Sequence, residues 1–242
     1  MLGFIEIPAG KFIIGEGNGQ HELTLPTFYI SRFPVTVAQF RAAGIEPQYK
    51  DAFADPDNHP VRYLTWYRAV DYCNWLDKTL RNSDQTPPAL AEKLRQGWKI
   101  TLPSEAEWEK AARGTNGQIY PWQGDEIEPT LANYDRTGIG STSTVGCFPA
   151  GASPYGVEEM SGNIWEWTRS RYLDYPYPSD KKGIQERGNL QKDDRKSRVL
   201  RGGAFRDDGS SVRCAFRLNF NPYFGYNGVG FRVVACPFTS GL

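Results

Sequence analysis

Apolar and polar residues alternate through the opening GFIEIPAGKFIIG, interrupted at Pro8-Ala9-Gly10. That period of two predicts a β-hairpin turning at the interruption. The following LTLPTFYISRFPVT keeps the strand pattern. Pro34 can occupy the first turn of a short helix closed by Gly44, and residues 45–60 read as loop. From Thr65, a capping residue, the period changes to that of a helix, with Trp66, Ala69, Val70, Cys73 and Leu76 on one stripe. The polar run RNSDQTPPALAEKLRQGW reads as a surface insertion. Ser104 and Glu107 then form a capping box behind Pro103, and Gly114 marks the stop. Helices are therefore expected near residues 34–43, 65–79 and 104–113. After Tyr120 the chain is mostly turns, Trp and Gly, and the charged, Pro-rich stretch 171–197 reads as a long surface loop. Helices early and irregular strands late predict an α+β chain rather than alternating βαβ units.

The C-terminal stretch has a different texture. A regular frame (Val199-Leu200-Arg201-Gly202-Gly203, Val212-Arg213, Ala215, Arg217, Asn221-Pro222, Gly230-Phe231-Arg232-Val233-Val234) encloses an irregular filling. The filling holds Phe205, Arg206, Asp208, Phe216, Leu218, Phe220, Tyr223, Phe224 and Tyr226. Aromatics interleaved with Asn and Gly suit an adaptable contact surface, because rings give area at low entropy cost while Gly and Asn let loops conform.

Composition narrows the classes. The 242 residues suffice for a single domain over 1–242, and 25 Gly with 17 Pro suit a loop-rich one. The 28 basic residues balance 28 acidic ones, so no charge steering toward nucleic acid or membranes follows. No apolar run approaches the ~20 residues of a membrane span, and the N-terminus lacks the charged-then-apolar order of a signal peptide. Cys73, Cys147, Cys214 and Cys236 stand far apart, which favours free buried thiols in a reducing compartment over disulfides. A cytoplasmic monomer is expected.

Several phrases are specific in combination: IPAGKFIIG, HPVRYLTWYRAVDYCNWL, LPSEAEWEKAARG, YPWQGD, ANYD, SPYGVEEMSGNIWEWT, RVLRGGAF and GFRVV. Across nearly its whole length the chain resembles the formylglycine-generating-enzyme (sulfatase-modifying factor) family. The resemblance implies a variant of the C-type lectin fold. Oxidising members carry two copper-binding cysteines about four and nine residues past the second Gly of RGG, since soft thiolates suit Cu(I). Here those places fall at Asp207 and near Val212, and Cys214 has no neighbouring thiol. The iron-dependent sulfoxide synthases of the same family use a three-His site in an added helical domain, whereas this chain has only His21 and His59. Neither copper nor oxidase chemistry is expected. An enzyme with altered chemistry remains the alternative, as does a sensor module of fixed specificity in a signalling protein.

The segment 198–234 also resembles the variable region of bacterial diversity-generating-retroelement proteins, in which adenine-directed mutagenesis rewrites codons. AAC and AAT codons so altered cannot encode Trp, Met, Gln, Lys or Glu. Those five types make up 42 of 242 residues, so a 27-residue stretch would carry about 4.7, yet residues 204–230 carry none. The same types are missing from Ser197 to the C-terminus. The reading implied is a non-enzymatic protein binding a macromolecular ligand, a protein rather than nucleic acid, through the nine filling residues. The alternative is an ordinary Asn/Gly-rich loop over buried aromatics.

Family members also bind calcium in the loop that here reads SPYGVEEMSGNIWEWT. The resemblance places structural Ca²⁺ at Glu159, the Gly162 and Ile164 carbonyls, and Glu166, a hard-oxygen set suited to that ion. The competing reading of Glu166 is a buried carboxylate paired with an Arg. Arg201, Arg213, Arg217 and Arg232 read as structural, bonding carbonyls and carboxylates where regular ladders are few. His21 and His59 read as structural or exposed rather than metal ligands.

Overall fold

The computed structural model describes residues 3–191 and 195–237. The strands are β1 (Phe4–Ile7), β2 (Gly10–Ile14), β3 (His21–Leu25), β4 (Phe28–Ser31), β5 (Trp98–Thr101), β6 (Trp165–Arg171), β7 (Arg198–Arg201), β8 (Leu218–Phe220), β9 (Val229–Gly230) and β10 (Val234–Pro237). The helices are α1 (Val37–Ala42), α2 (Trp66–Asn82), α3 (Pro88–Arg95), α4 (Glu105–Arg113) and α5 (Lys181–Arg187). The described strands form two four-stranded sheets, ordered β1-β4-β10-β5 and β8-β7-β6-β9, and a β2-β3 ribbon. In the second sheet β6 runs parallel to β9 and antiparallel to β7.

The expected opening hairpin is not made. β1 pairs with β4 and β2 with β3, so the kink at Pro8-Ala9 sends consecutive strands into different sheets. Alternation reports that a strand has a buried face and says nothing of its partner. The three expected helices are present. Pro34 lies ahead of α1, whose cap is Thr36 in a capping box with Gln39. Thr65 caps α2, and the Ser104–Glu107 box caps α4 as expected. The stretch read as a plain surface insertion contains α3, and the long loop contains α5 with Arg187 and Tyr177 buried.

The larger core lies around α2. Tyr72 stacks on Phe40 with ring centres 5.7 Å apart, and Phe231 meets Tyr72 edge-on at 5.3 Å. Frame residues Val199, Leu200, Val212, Ala215, Phe231 and Val233 are all buried. Helix α4 departs most from pattern. All nine of its residues are buried, charged ones included. Each charge finds a partner: Glu105 takes Arg217 on both oxygens, Glu107 takes both Nη atoms of Arg169 at 2.6 and 2.8 Å, Glu109 pairs with Arg113 at 2.7 Å and Arg201 at 2.5 Å, and Lys110 donates to the Pro8 and Gly10 carbonyls. Buried charge is tolerated only with such pairing.

Candidate ligand-binding face and acidic loop

The segment that follows β7 is fixed by its backbone before any side chain reaches solvent. Asp207 binds its own turn: its carboxylate accepts the Ala204 N–H at 2.8 Å, its N–H donates to the Ala204 carbonyl, and Trp165 also donates to it. Burial raises its pKa above the ordinary aspartate value. The place of the oxidising relatives' first cysteine is thus a structural clasp. Val212, at the second place, is fully buried, and so is Cys214, whose thiol pKa is pushed up by desolvation.

Of the nine residues assigned to the face, Arg206, Asp208, Tyr223, Phe224 and Tyr226 are exposed. Phe205 is not; it is 1 % exposed and belongs to the core. Its ring packs between the guanidinium groups of Arg62 and Arg206, at 5.7 and 5.3 Å. Phe216, Leu218 and Phe220 are half-buried against that core, Phe216 beside Trp165 (5.9 Å) and Phe220 beside Trp167 (5.7 Å). The sequence could not separate these from the exposed rings, because the irregular segment has no periodicity to assign sides. Asp208 turns one oxygen onto Ser210 and the Ser211 N–H, which lowers its pKa.

The exposed rings form one short loop. Tyr223, Phe224 and Tyr226 are 44, 56 and 64 % exposed. Asn221 starts the loop by accepting the Tyr223 N–H on its side chain (3.0 Å), and Val229 ends it by donating to the Tyr226 carbonyl (3.0 Å). Gly225 is dictated by contact: a Cβ there would lie 2.5 Å from the Tyr63 carbonyl oxygen. Residues unmarked in the sequence support the loop from outside. Tyr67, on α2, meets Tyr223 with ring centres 4.8 Å apart. Arg62, held by both oxygens of Asp55, donates to the Asn227 side chain. The loop base and the post-β7 turn adjoin, since Gly228 packs on Ala204 and Phe205.

In the acidic loop, Glu166 takes the paired alternative. Arg232 donates to both its oxygens at 2.6 and 2.7 Å, and Trp108 Nε1 donates at 2.7 Å. Arg232 also bonds the Ser31, Arg32, Glu158 and Glu159 carbonyls, as expected of a structural arginine. Glu159 differs. Among the described residues its oxygens accept the Gly146 N–H (2.8 Å) and the Asn163 amide (3.0 Å), and burial lifts its pKa to about 7. The Gly162 carbonyl accepts from the Ile164 N–H, and a Cβ on Gly162 would strike the Asn133 carbonyl at 2.2 Å. Glu159 is thus a buried carboxylate with hydrogen bonds and no ion pair among the described residues, whereas Glu166 is paired with Arg232. Among the described residues no three His, Cys, Asp or Glu side chains gather as a metal cluster.

The remaining sequence expectations resolve simply. His21 donates Nδ1–H to the Gly19 carbonyl and accepts the Tyr177 N–H on Nε2, so both ring nitrogens serve structure. His59 bonds Thr142. All four cysteines are free, with Cys73, Cys214 and Cys236 buried, but Cys147 is exposed.

The family model for the sulfatase-modifying factor enzyme 1-like domain matches residues 2–236. The chain belongs to this family. Its fold is the C-type-lectin-like fold of the formylglycine-generating enzymes. The serine/threonine-protein kinase pkn1 of Chlamydia caviae is 31 % identical over 257 residues, covering 93 % of this chain and 37 % of that protein. This chain thus spans little more than a third of that relative's length. The inactive C-alpha-formylglycine-generating enzyme 2 of Bos taurus is 27 % identical, covering 96 % of this chain and 87 % of that protein. Among solved structures, Treponema denticola variable protein 1 superposes with a TM-score of 0.73 at 22 % identity, covering 96 % of this chain and 94 % of that one.

Proposed function

We propose that this protein is a non-enzymatic binder that offers Arg206, Asp208, Tyr223, Phe224 and Tyr226 to a protein ligand, as variable proteins of diversity-generating retroelements do. One observation carries the reading. Of seven exposed large hydrophobics among the described residues, three crowd into the four positions Tyr223–Tyr226. Exposed apolar patches on an otherwise polar surface mark interaction sites. Phe205, Phe216, Leu218 and Phe220 belong to the support of that face.

The reading is tested in the neighbouring DNA and in the protein. A reverse-transcriptase gene beside a near-copy of the 3′ end, mismatched at adenines, is expected. A library randomised at the five exposed positions should fold as the parent does and yield binders to unrelated proteins. A library that mostly fails to fold would overturn the assignment. The absent thiol pair makes oxidation of cysteine to formylglycine an activity this chain should lack. A sulfatase-type peptide incubated with the protein, copper and oxygen should keep its cysteine mass.

A second reading is favoured by the match to pkn1, which takes in nearly all of this chain and a minor part of that kinase. On it, the same face is a fixed sensor surface of a signalling protein. Identical sequence at the five positions across strains would select it. For calcium the proposal is narrower than the family set: Glu159 with the Gly162 and Ile164 carbonyls would hold the ion, which would neutralise a buried carboxylate that has no ion pair of its own among the described residues.

A further inference from the structure

Behind α2, remote in sequence from the C-terminal face, lies a cavity of about 710 Å³. Its walls come from α1, α2 and α3 and from strands β1 and β4, chiefly through Phe4, Tyr29, Ala42, Tyr72, Trp75 and Leu90. Among the described residues no Asp, Glu, Lys, Arg or His lines it. Its volume lies within the range of small-molecule sites, which are apolar with a few placed polar groups.

One such group is present. Tyr72 is 2 % exposed, and its ring is locked by Phe40, Trp75 and Phe231 at 5.7, 5.4 and 5.3 Å. Its hydroxyl nevertheless donates to no group among the described residues. Tyr29, on the same wall, has spent its hydroxyl on Glu6 at 2.8 Å. The hydroxyl is not among the sealed polar atoms that lack a partner, so on this wall it opens to the cavity, where a seated molecule can accept from it. Burial raises the Tyr72 pKa, so the group stays a neutral donor.

We infer that this cavity binds an uncharged apolar small molecule carrying a hydrogen-bond acceptor, which takes the Tyr72 hydroxyl. The absence of charged walls excludes ionised ligands, whose desolvation would go uncompensated. A concave space bounded by three helices and two strands suits a compact molecule better than a protein surface.

The test uses Nile red, an uncharged dye, with 1-acetylnaphthalene and 1-ethylnaphthalene as competitors of like shape that differ in a carbonyl acceptor. Saturable dye binding at one site per chain is expected, displaced by both naphthalenes, with the ketone about tenfold tighter, the worth of one hydrogen bond. Tyr72→Phe should abolish that difference and leave 1-ethylnaphthalene within about twofold. Leu90→Trp should fill the space and weaken all three ligands more than tenfold with an unchanged melt. If that variant unfolds, Ala42→Phe on α1 makes the same test. Absence of saturable binding, or a ketone preference that persists in Tyr72→Phe, would overturn the inference. So would dye binding that follows dimer formation in sedimentation, because the face would then meet a second copy of the chain.

Discussion

The ring of Tyr67 lies 4.8 Å from that of Tyr223, joining a scaffold helix to the exposed loop. The loop is therefore displayed from a rigid element, and its side chains can change without loss of the backbone. Pre-organisation of this kind lowers the entropy lost on binding.

Substitutions in the filling should divide by burial, not by sequence position. Phe224→Ala and Tyr226→Ala should change stability by less than ~1 kcal/mol, as exposed sites do. Phe205→Ala and Phe231→Ala should each cost roughly 3–5 kcal/mol. Phe220→Ala, half-buried beside Trp167, should fall between, at about 1–2 kcal/mol. Urea melts of the five variants decide, and a large loss at Tyr226 would remove the display surface.

Gly225→Ala should destabilise by roughly 1–3 kcal/mol, because its Cβ would overlap the Tyr63 carbonyl. The position would then stay Gly even where its neighbours vary. A neutral melt, or natural variants with other residues there, would show that the loop can shift.

The Glu166–Arg232 pair has no exposed atoms to relax into water. Removing one partner, as in Arg232→Met, should cost about 3–5 kcal/mol by leaving a buried charge alone. The double variant Glu166→Leu/Arg232→Met should lose clearly less than the two single variants together. Additive losses in thermal melts would mean that the pair is not coupled.

Calcium should raise the melting temperature and EDTA lower it, since an ion bound only by the native state stabilises by mass action. Glu159→Gln should erase the difference between the two conditions. Equal melts of the parent in calcium and in EDTA would dismiss the ion.

The sequence by itself determined the family, the fold and the starts of α2 and α4. These rest on local chemistry: Ser104 and Glu107 cap α4 whatever surrounds them, and the stripe on α2 follows from helical geometry. It also picked out the apolar frame residues Val199, Leu200, Val212, Ala215, Phe231 and Val233, all buried, from the filling around them. Tertiary structure alone decided three things. It chose strand partners, since the alternation in β1 and β2 fits any neighbour and the sheets joined β1 to β4 and β2 to β3. It buried α4 with its charges, which Arg169 and Arg201, distant in sequence, pair. It also divided the filling, drawing Phe205 between Arg62 and Arg206 while leaving Tyr226 outside. The pairing of β1 with β4, of α4 with Arg169 and Arg201, and of Phe205 with Arg62 each joins segments separated in the chain, and neither pattern nor propensity carries that information.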